Sequence, residues 1–453
     1  MTSPALLDRL RTYLQSRPDV RQIVTNAGWL VSDRVIRLVL VLLVSAWVTR
    51  YLGAEQYGFL SIAQAILALA VPLLRLGMDT LIVRLLVEAD YAREQVLGTS
   101  LVIRLVAALV VLPAVVILTA LAYPANTVIA LLAAMLGVAA LAESFDVIDL
   151  WNQSQVAARR TVIARNAAFV VASGLKVGAI LLQQPLEVFG LLYALDTLLY
   201  VALLVGVYQR SGGRILSWRW DAALAKTLLK LSAPLIVSGI AVSLYMRIDQ
   251  LMLSLMLPTG EGERAVGVYS VAVRLAETWY FVPGAIISSV FPAILLTKRQ
   301  DEILYRKRIQ RLFNLVVLVG YAFALPVTLL APVIIDVLFG PEFAEAAPQL
   351  AVLAWSGVWV GLGVARTSVL QAEQRNIYSM YAVSAGVLLN IVMNALLIPI
   401  WGGLGCAIAT LITQILATHL LTYLMPQFQF LAKMQTIALL YPNPAPPRTG
   451  ASS

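Results

Sequence analysis

Sixteen ionisable side chains fall inside long apolar runs of this sequence. The first half carries Asp33, Arg34, Arg37, Arg75, Asp79, Arg104, Glu143, Asp146, Lys176 and Asp196, and the second carries Arg247, Asp249, Arg274, Glu277, Asp336 and Arg366. A charge at membrane depth costs about 2.5–3.5 kcal/mol even on a mild insertion scale, so such groups face a cavity or a partner. Arginine offers a planar fork of donors that grips a phosphate-like anion through paired, charge-assisted hydrogen bonds. Carboxylates in the same setting can hold a proton or a cation. The competing reading is structural pairing: Asp33 and Arg37 are four apart and Arg274 and Glu277 three apart, spacings that meet on one helix face. Near helix ends, Arg84, Arg165 and Arg366 are expected to snorkel to the headgroups.

The elements that must hold these charges follow from composition. Of 453 residues, 60% are hydrophobic and 13% charged, against about 25% charged in soluble domains. Apolar runs of roughly 20 residues, the length of one membrane crossing, recur near 29–50, 58–80, 98–120, 126–148, 161–182 and 187–208. They recur again near 231–256, 265–296, 312–338, 345–370, 378–400 and 403–425. The runs are continuous rather than alternating, which predicts an all-α polytopic protein of about twelve helices and not a barrel.

Loop charge tests that count. The amino-terminal segment holds Arg9, Arg11, Arg17 and Arg21; the even-numbered loops hold Arg84 and Arg93, Arg159 and Arg160, Arg210 to Lys230, Lys298 to Arg311, and Arg375. The odd-numbered loops hold only Arg50 and Arg264. By the positive-inside rule both termini are cytoplasmic. The net charge of +9 is therefore spread over short loops, which argues against a nucleic-acid-binding face. The single Cys406 and single His419 exclude an intramolecular disulfide and a histidine-cluster metal site. Each is read as a packed side chain.

The halves repeat. Tyr57-Gly58-Phe59-Leu60-Ser61-Ile62-Ala63 parallels Val266-Gly267-Val268-Tyr269-Ser270-Val271-Ala272, Leu112-Pro113 parallels Leu325-Pro326, and Gln155 with Arg159 parallels Gln371 with Arg375. Six helices per half is an even number, so the repeats share one orientation. The expected organisation is a cytoplasmic segment 1–27 with an interfacial helix, a six-helix bundle 28–209, a cytoplasmic linker 210–230, a second bundle 231–425 and a largely disordered cytoplasmic tail 426–453.

Several phrases resemble the polysaccharide transporter family, the O-antigen flippases of the multidrug, oligosaccharidyl-lipid and polysaccharide exporter superfamily. They are Arg50-Tyr51-Leu52-Gly53-Ala54-Glu55-Gln56-Tyr57-Gly58, Arg247-Ile248-Asp249-Gln250, Val266-Gly267-Val268-Tyr269-Ser270, Leu338-Phe339-Gly340-Pro341-Glu342-Phe343, and Leu397-Ile398-Pro399 with Gly402, Gly403, Leu404 and Gly405. The resemblance spans roughly residues 25–425 and keeps the order of the family's elements. It implies two bundles around a central cavity, as in multidrug and toxin extrusion transporters. It also implies an activity, flipping undecaprenyl-pyrophosphate-linked oligosaccharide from the cytoplasmic to the periplasmic leaflet of a bacterial inner membrane.

On that footing Arg34, Arg37, Arg247 and Arg274, with Arg75 beside them, are the candidates to hold the diphosphate. Asp196, Asp249 and Glu277 are the candidates to couple transport to a proton or sodium gradient, and no cofactor or metal is called for. The partners expected are the lipid-linked substrate, membrane lipids and other polysaccharide assembly proteins. Bending for alternating access would use Pro113, Pro234, Pro283 and Pro326, with Gly239, Gly284, Gly361 and Gly363 allowing close packing. The alternatives are a drug or cation antiporter of the same architecture, a Lipid II flippase, and a membrane-embedded polymerase or glycosyltransferase. The last lacks the extramembrane loops and nucleophilic or metal-spaced groups such enzymes need.

Overall fold

A computed structural model describes residues 18–298 and 301–443, with side chains from Leu40 onward except Ala158 and Asn376. The expected interfacial helix before residue 18, Arg299, and the tail beyond 443 lie outside the described residues, as do the side chains of Arg34 and Arg37 on otherwise helical backbone.

Among the described residues ten stretches are long and apolar enough to cross a membrane. Two are nearly double length, Leu40–Glu88 with 49 residues and Ile377–Leu424 with 48. Each is broken at a glycine in a backbone conformation that disfavours side-chain-bearing residues: Gly53 at φ 74°, ψ 173° and Gly402 at φ 53°, ψ −128°. Dividing both at these breaks gives twelve crossings, the number read from the sequence.

The helices of the first half are α1 (Pro18–Arg75), α2 (Asp79–Glu88), α3 (Arg93–Ala122), α4 (Thr127–Ala142), α5 (Val147–Ser154), α6 (Ala158–Leu181) and α7 (Leu186–Arg210). The second half has α8 (Ala222–Met256), α9 (Glu261–Glu277), α10 (Phe281–Lys298), α11 (Glu302–Phe339), α12 (Ala346–Ala372), α13 (Asn376–Ile415), α14 (Leu421–Leu424) and α15 (Gln429–Leu440). The second crossing is interrupted at Leu76 and Gly77, both at positive φ, between α1 and α2. The eighth is interrupted by the turn at Thr278–Tyr280, between α9 and α10. The expected proline bends divide: Pro113, Pro234 and Pro326 sit inside continuous helices, whereas Pro283 stands in the first turn of α10, directly after the break at Thr278–Tyr280.

Two boundaries differ from the sequence reading. The linker is shorter than 210–230, because α8 starts at Ala222, where the Asp221 side chain accepts from the amides of Ala223 and Leu224 at 2.9 and 3.0 Å and caps the helix. The segment after Pro426 is not all disordered. Its α15 packs Leu431, Ala432, Gln435 and Ala438 into the second half, and Gln435 and Thr436 meet the two ring nitrogens of His419 at 3.2 and 3.3 Å.

The repeat is visible as a contact. Carbons added at Gly58 and at Gly267 would each lie 1.9 Å from a carbonyl oxygen, that of Glu263 and that of Ala54 respectively. Each partner sits four residues before the opposite glycine, so α1 and α9 touch backbone to backbone about an approximate two-fold, at the register of the sequence repeat. Beside this seam the Ala54 amide donates to Glu342 at 2.7 Å, Tyr123 meets Ser254, and Asn126 donates to Glu263. These contacts join the halves at the end opposite the basic loops. Toward the basic end α1 also packs on α8, where Gly77 faces Leu235 and Gly239 faces Pro72.

Gly267→Leu should therefore lower stability by about 1–3 kcal/mol, the range for overpacking, seen as a lower unfolding temperature in detergent. Gly206→Ala, at a position with open space around the glycine, should leave it unchanged or slightly raised.

Candidate functional site

A central cavity of about 240 Å³ opens between α1, α8 and α9. The α1 wall is Tyr57, Ser61, Gln64, Ala65 and Ala68, spaced along one helix face; α8 contributes Arg247 and Gln250, and α9 contributes Ser270, Val273, Arg274 and Glu277. Helix geometry explains the α1 face, since steps of three and four residues return to one side. The break after Glu277 places that carboxylate at the end of α9, where regular helical hydrogen bonding stops.

Three candidates from the sequence meet here: Arg247, Arg274 and Glu277. Their pairing differs from the expectation. Glu277 accepts from Arg247 across helices at 3.1 Å, instead of closing on Arg274 along its own helix. Arg274 instead hydrogen-bonds Ser45 of α1, and no carboxylate lies within ion-pair distance of it among the described residues. Tyr57 and Tyr193 of the first half also stand beside it. Arg274 thus reaches across the boundary between halves. The cavity wall carries two guanidinium groups against one carboxylate, a surplus of one positive charge.

Asp249 lies behind this wall. It is buried, accepting from Tyr269 and from the Gln250 amide, beside a chamber of about 30 Å³ that Glu277, Thr410 and Gln414 also line. Arg75 and Asp196 are elsewhere, in the first half. Arg75 lies 3.3 Å from Glu143, 3.7 Å from Asp146 and 3.6 Å from Asp79, while Arg104, almost fully buried, also pairs with Asp79. Asp196 pairs with buried Lys176 at 3.1 Å. Arg75, Glu143, Asp146 and Asp196 border a second cavity of about 340 Å³ between α1, the 3-10 turn Glu143–Asp146, α6 and α7.

Arg366, expected to snorkel, does not, whereas Arg165 is exposed. Arg366 is 5% exposed, and its Nη1 donates to the carbonyls of Ala417 and Thr418 at 2.8 and 3.1 Å and to Thr422 at 2.8 Å. Residues Leu416–Leu420 form a π-helical turn, whose loosened bonding leaves carbonyls to take this guanidinium. Arg165 faces the second cavity, with its guanidinium 4.7 Å from the Tyr200 ring centre and a 3.0 Å bond to the Tyr200 hydroxyl. Arg84 is exposed and pairs with Glu88, as an end charge should.

The neutral lining of both cavities escaped the sequence reading. Its signal was the three-and-four spacing of Tyr57, Ser61 and Gln64 within an apolar run, which carries no charge to draw notice.

A duplicated twelve-crossing bundle with a cationic cavity at the junction of its halves defines a multi-pass membrane protein. Residues 23–298 match the family described as polysaccharide biosynthesis protein, and the chain belongs to it. It is similar to the probable flippase AglR of Haloferax volcanii, 27% identical over 190 residues, which are 40% of this chain and 38% of that protein. The matched stretch thus spans well under two thirds of that curated relative. In fold it is similar to the Lipid II flippase MurJ in an inward closed conformation, with a TM-score of 0.64, 14% identity and 90% of each chain covered. It is also similar to an inward-facing multidrug resistance MATE family transporter of the MOP superfamily, with a TM-score of 0.65, 16% identity, and 88% of this chain and 95% of the other covered.

Lys176→Met should cost about 2 kcal/mol by stranding Asp196, less than a sealed pair would lose because Asp196 faces a cavity. Adding Asp196→Asn should recover most of that loss in thermal unfolding, and additive losses would show that the two groups do not act as a pair.

Proposed function

We propose that this chain flips an oligosaccharide carried on undecaprenyl pyrophosphate from the cytoplasmic to the periplasmic leaflet of a bacterial inner membrane. The unit would be an O-antigen or exopolysaccharide repeat, and both termini would be cytoplasmic. The observation that carries this reading is Arg274, a cation in the inter-half cavity with a hydroxyl partner in place of a carboxylate. A diphosphate is anionic and strongly hydrated. Crossing apolar lipid would strip that water, whereas Arg274 and Arg247 can replace it with charge-assisted hydrogen bonds. Arg34 and Arg37, on the stretch of α1 leading toward this cavity from the basic end, would meet the diphosphate earlier in its passage. Arg75 is the weaker candidate, because three carboxylates already surround it.

The positive surplus disfavours a drug or cation antiporter, whose substrate would want excess carboxylate. Family membership supports the polysaccharide branch over Lipid II, since the likeness to MurJ is one of fold. The activity is transport and not catalysis in this reading. The seam at Gly58 and Gly267 closes the end opposite the basic loops while α1 packs on α8 toward the basic end, an arrangement in keeping with the inward closed state of the Lipid II flippase structure above. Rocking the halves would break the Arg274 contact to Ser45 and pass the headgroup outward. Coupling to a proton or sodium gradient would fall to Glu277 in the cavity or Asp249 behind it, with Asp196 held in reserve by Lys176.

The test is transport in vesicles whose undecaprenyl-pyrophosphate-linked sugar is scored by its accessibility to an external glycosidase. Arg274→Ala and Arg247→Ala should each slow translocation at least about tenfold, the loss of one charged hydrogen bond, with insertion unchanged. Wild-type rates in both variants would overturn the assignment, and turnover of a sugar acceptor in detergent would point to an enzyme.

A further inference from the structure

The second cavity lies within the first half, and of the diphosphate candidates placed above only Arg75, the weakest, lines it. Its volume of about 340 Å³ falls within the range of small-molecule sites. At roughly 30 Å³ per water, it has room for about ten waters, far more than the few ligands around a single bound ion.

Its charge separates it from the central cavity. Arg75 and Arg165 line it with Glu143, Asp146 and Asp196. Lys176 is bonded to Asp196, and Asp79 and Arg104 are bonded to each other and to the Arg75 side. The lining alone carries two cations and three carboxylates; with the groups bonded to it included, four cations stand against four carboxylates and the whole cluster is electroneutral. A surplus of arginine would suit an anion and a surplus of carboxylate would suit a cation. Paired charges that keep free lone pairs and N–H groups suit a neutral ligand rich in hydroxyls. The remaining wall completes that chemistry: Phe169 and Tyr200 offer aromatic faces and Thr197 a hydroxyl. The Tyr200 hydroxyl is itself held between Arg165 and Asp146, at 3.0 and 2.7 Å.

The two cavities lie along one helix face. Ala68 lines the central cavity and Arg75 the second. Seven residues apart, they return to the same side of α1 about 10 Å further along the axis. A side-chain relay links their walls: Asp196 bonds Lys176, Lys176 sits 4.0 Å from the Tyr193 ring, and Tyr193 stands beside Arg274.

We propose that the cavity of Arg75, Glu143, Asp146, Phe169, Asp196 and Tyr200 is a neutral-sugar subsite, which receives the first sugars of the glycan while the attached diphosphate rests on Arg274 and Arg247. This inference builds on the flippase reading above and assigns it a second site. It makes the glycan a determinant of binding and places selectivity for uncharged sugars in the first half of the chain.

The experiment titrates the purified full-length protein in lipid nanodiscs with geranyl diphosphate and with its glucosyl, galactosyl and N-acetylglucosaminyl derivatives. At least one sugar should tighten binding about tenfold over bare geranyl diphosphate, the worth of one or two added hydrogen bonds. Phe169→Leu and Thr197→Val, both near in volume to the native residues, should each reduce that increment and leave the affinity for geranyl diphosphate itself unchanged. A glucuronyl derivative should gain nothing. No increment for any neutral sugar, an increment untouched by both variants, or a response of this cavity to sodium alone would overturn the proposal while leaving the diphosphate site standing. Failure of every diphosphate to bind, with Arg274→Ala indistinguishable from wild type, would instead remove the flippase reading on which it rests.

Discussion

A charged side chain in hydrocarbon must be hydrated, paired or hydrogen-bonded, and the interior of this protein is organised by that requirement. Every described interior cation meets it in one of three ways. Arg75, Arg104, Lys176 and Arg247 have carboxylate partners. Arg366 donates through Nη1 to backbone carbonyls at a π-helical turn. Arg274 has Ser45 and an opening onto the central cavity, and Arg165 has the Tyr200 hydroxyl and an opening onto the second. The third solution keeps the most binding capacity in reserve, because a hydroxyl gives up its place to an anion more readily than a carboxylate does. Function is therefore best sought where neutralisation is weakest, and not where charges are most numerous.

The helix breaks serve the same requirement. An unbroken helix holds its carbonyls and amides in internal bonds and sends side chains out on a fixed spiral. Where the crossings are interrupted, at Leu76 and Gly77, at the 3-10 turn Glu143–Asp146 and at Thr278–Tyr280, charged residues sit at or next to the interruption. Arg75 and Asp79 flank the first break, Glu143 and Asp146 bound the second, and Glu277 precedes the third. The breaks open space between helices, and the charges keep that space wet. The prolines within α3, α8 and α11 do not coincide with any break, whereas Pro72, Pro283 and Pro399 each lie within a few residues of one, at Leu76, at Thr278–Tyr280 and at Gly402.

Much of the architecture could be read from residue order alone. Hydropathy and the alternation of Arg and Lys between loops are one-dimensional signals, and they set the twelve crossings. The repeat was legible because its glycines must stay where α1 and α9 touch. Pairing was not legible, because it depends on which helices become neighbours. Glu277 lies three residues from Arg274 in sequence yet bonds Arg247, thirty residues away. Likewise Arg366, near a predicted helix end, is enclosed because α15 and the π-helical turn pack around that part of the second half, and neither element announces itself in the hydropathy. Neutral lining residues such as Gln64, Gln250 and Phe169 were missed for a simpler reason: their types are common in ordinary helix packing.

The asymmetry between the halves is the last step. Duplication produced two bundles related by an approximate two-fold, yet the charges have diverged. The first half gathers four cations and four carboxylates into a neutral cluster around its cavity, whereas the second half presents Arg247, Arg274 and Glu277 toward the junction. A symmetric pair of sites would grip a lipid-linked glycan by the same chemistry at both ends. The substrate proposed here is itself asymmetric, with a doubly anionic linkage next to a hydroxyl-rich, uncharged chain. Divergence of the repeats into one cationic and one neutral surface matches that asymmetry. It also lets a single contact, Arg274 to Ser45, stand at the boundary between the two sites, where occupancy of either would be felt by the seam that must open.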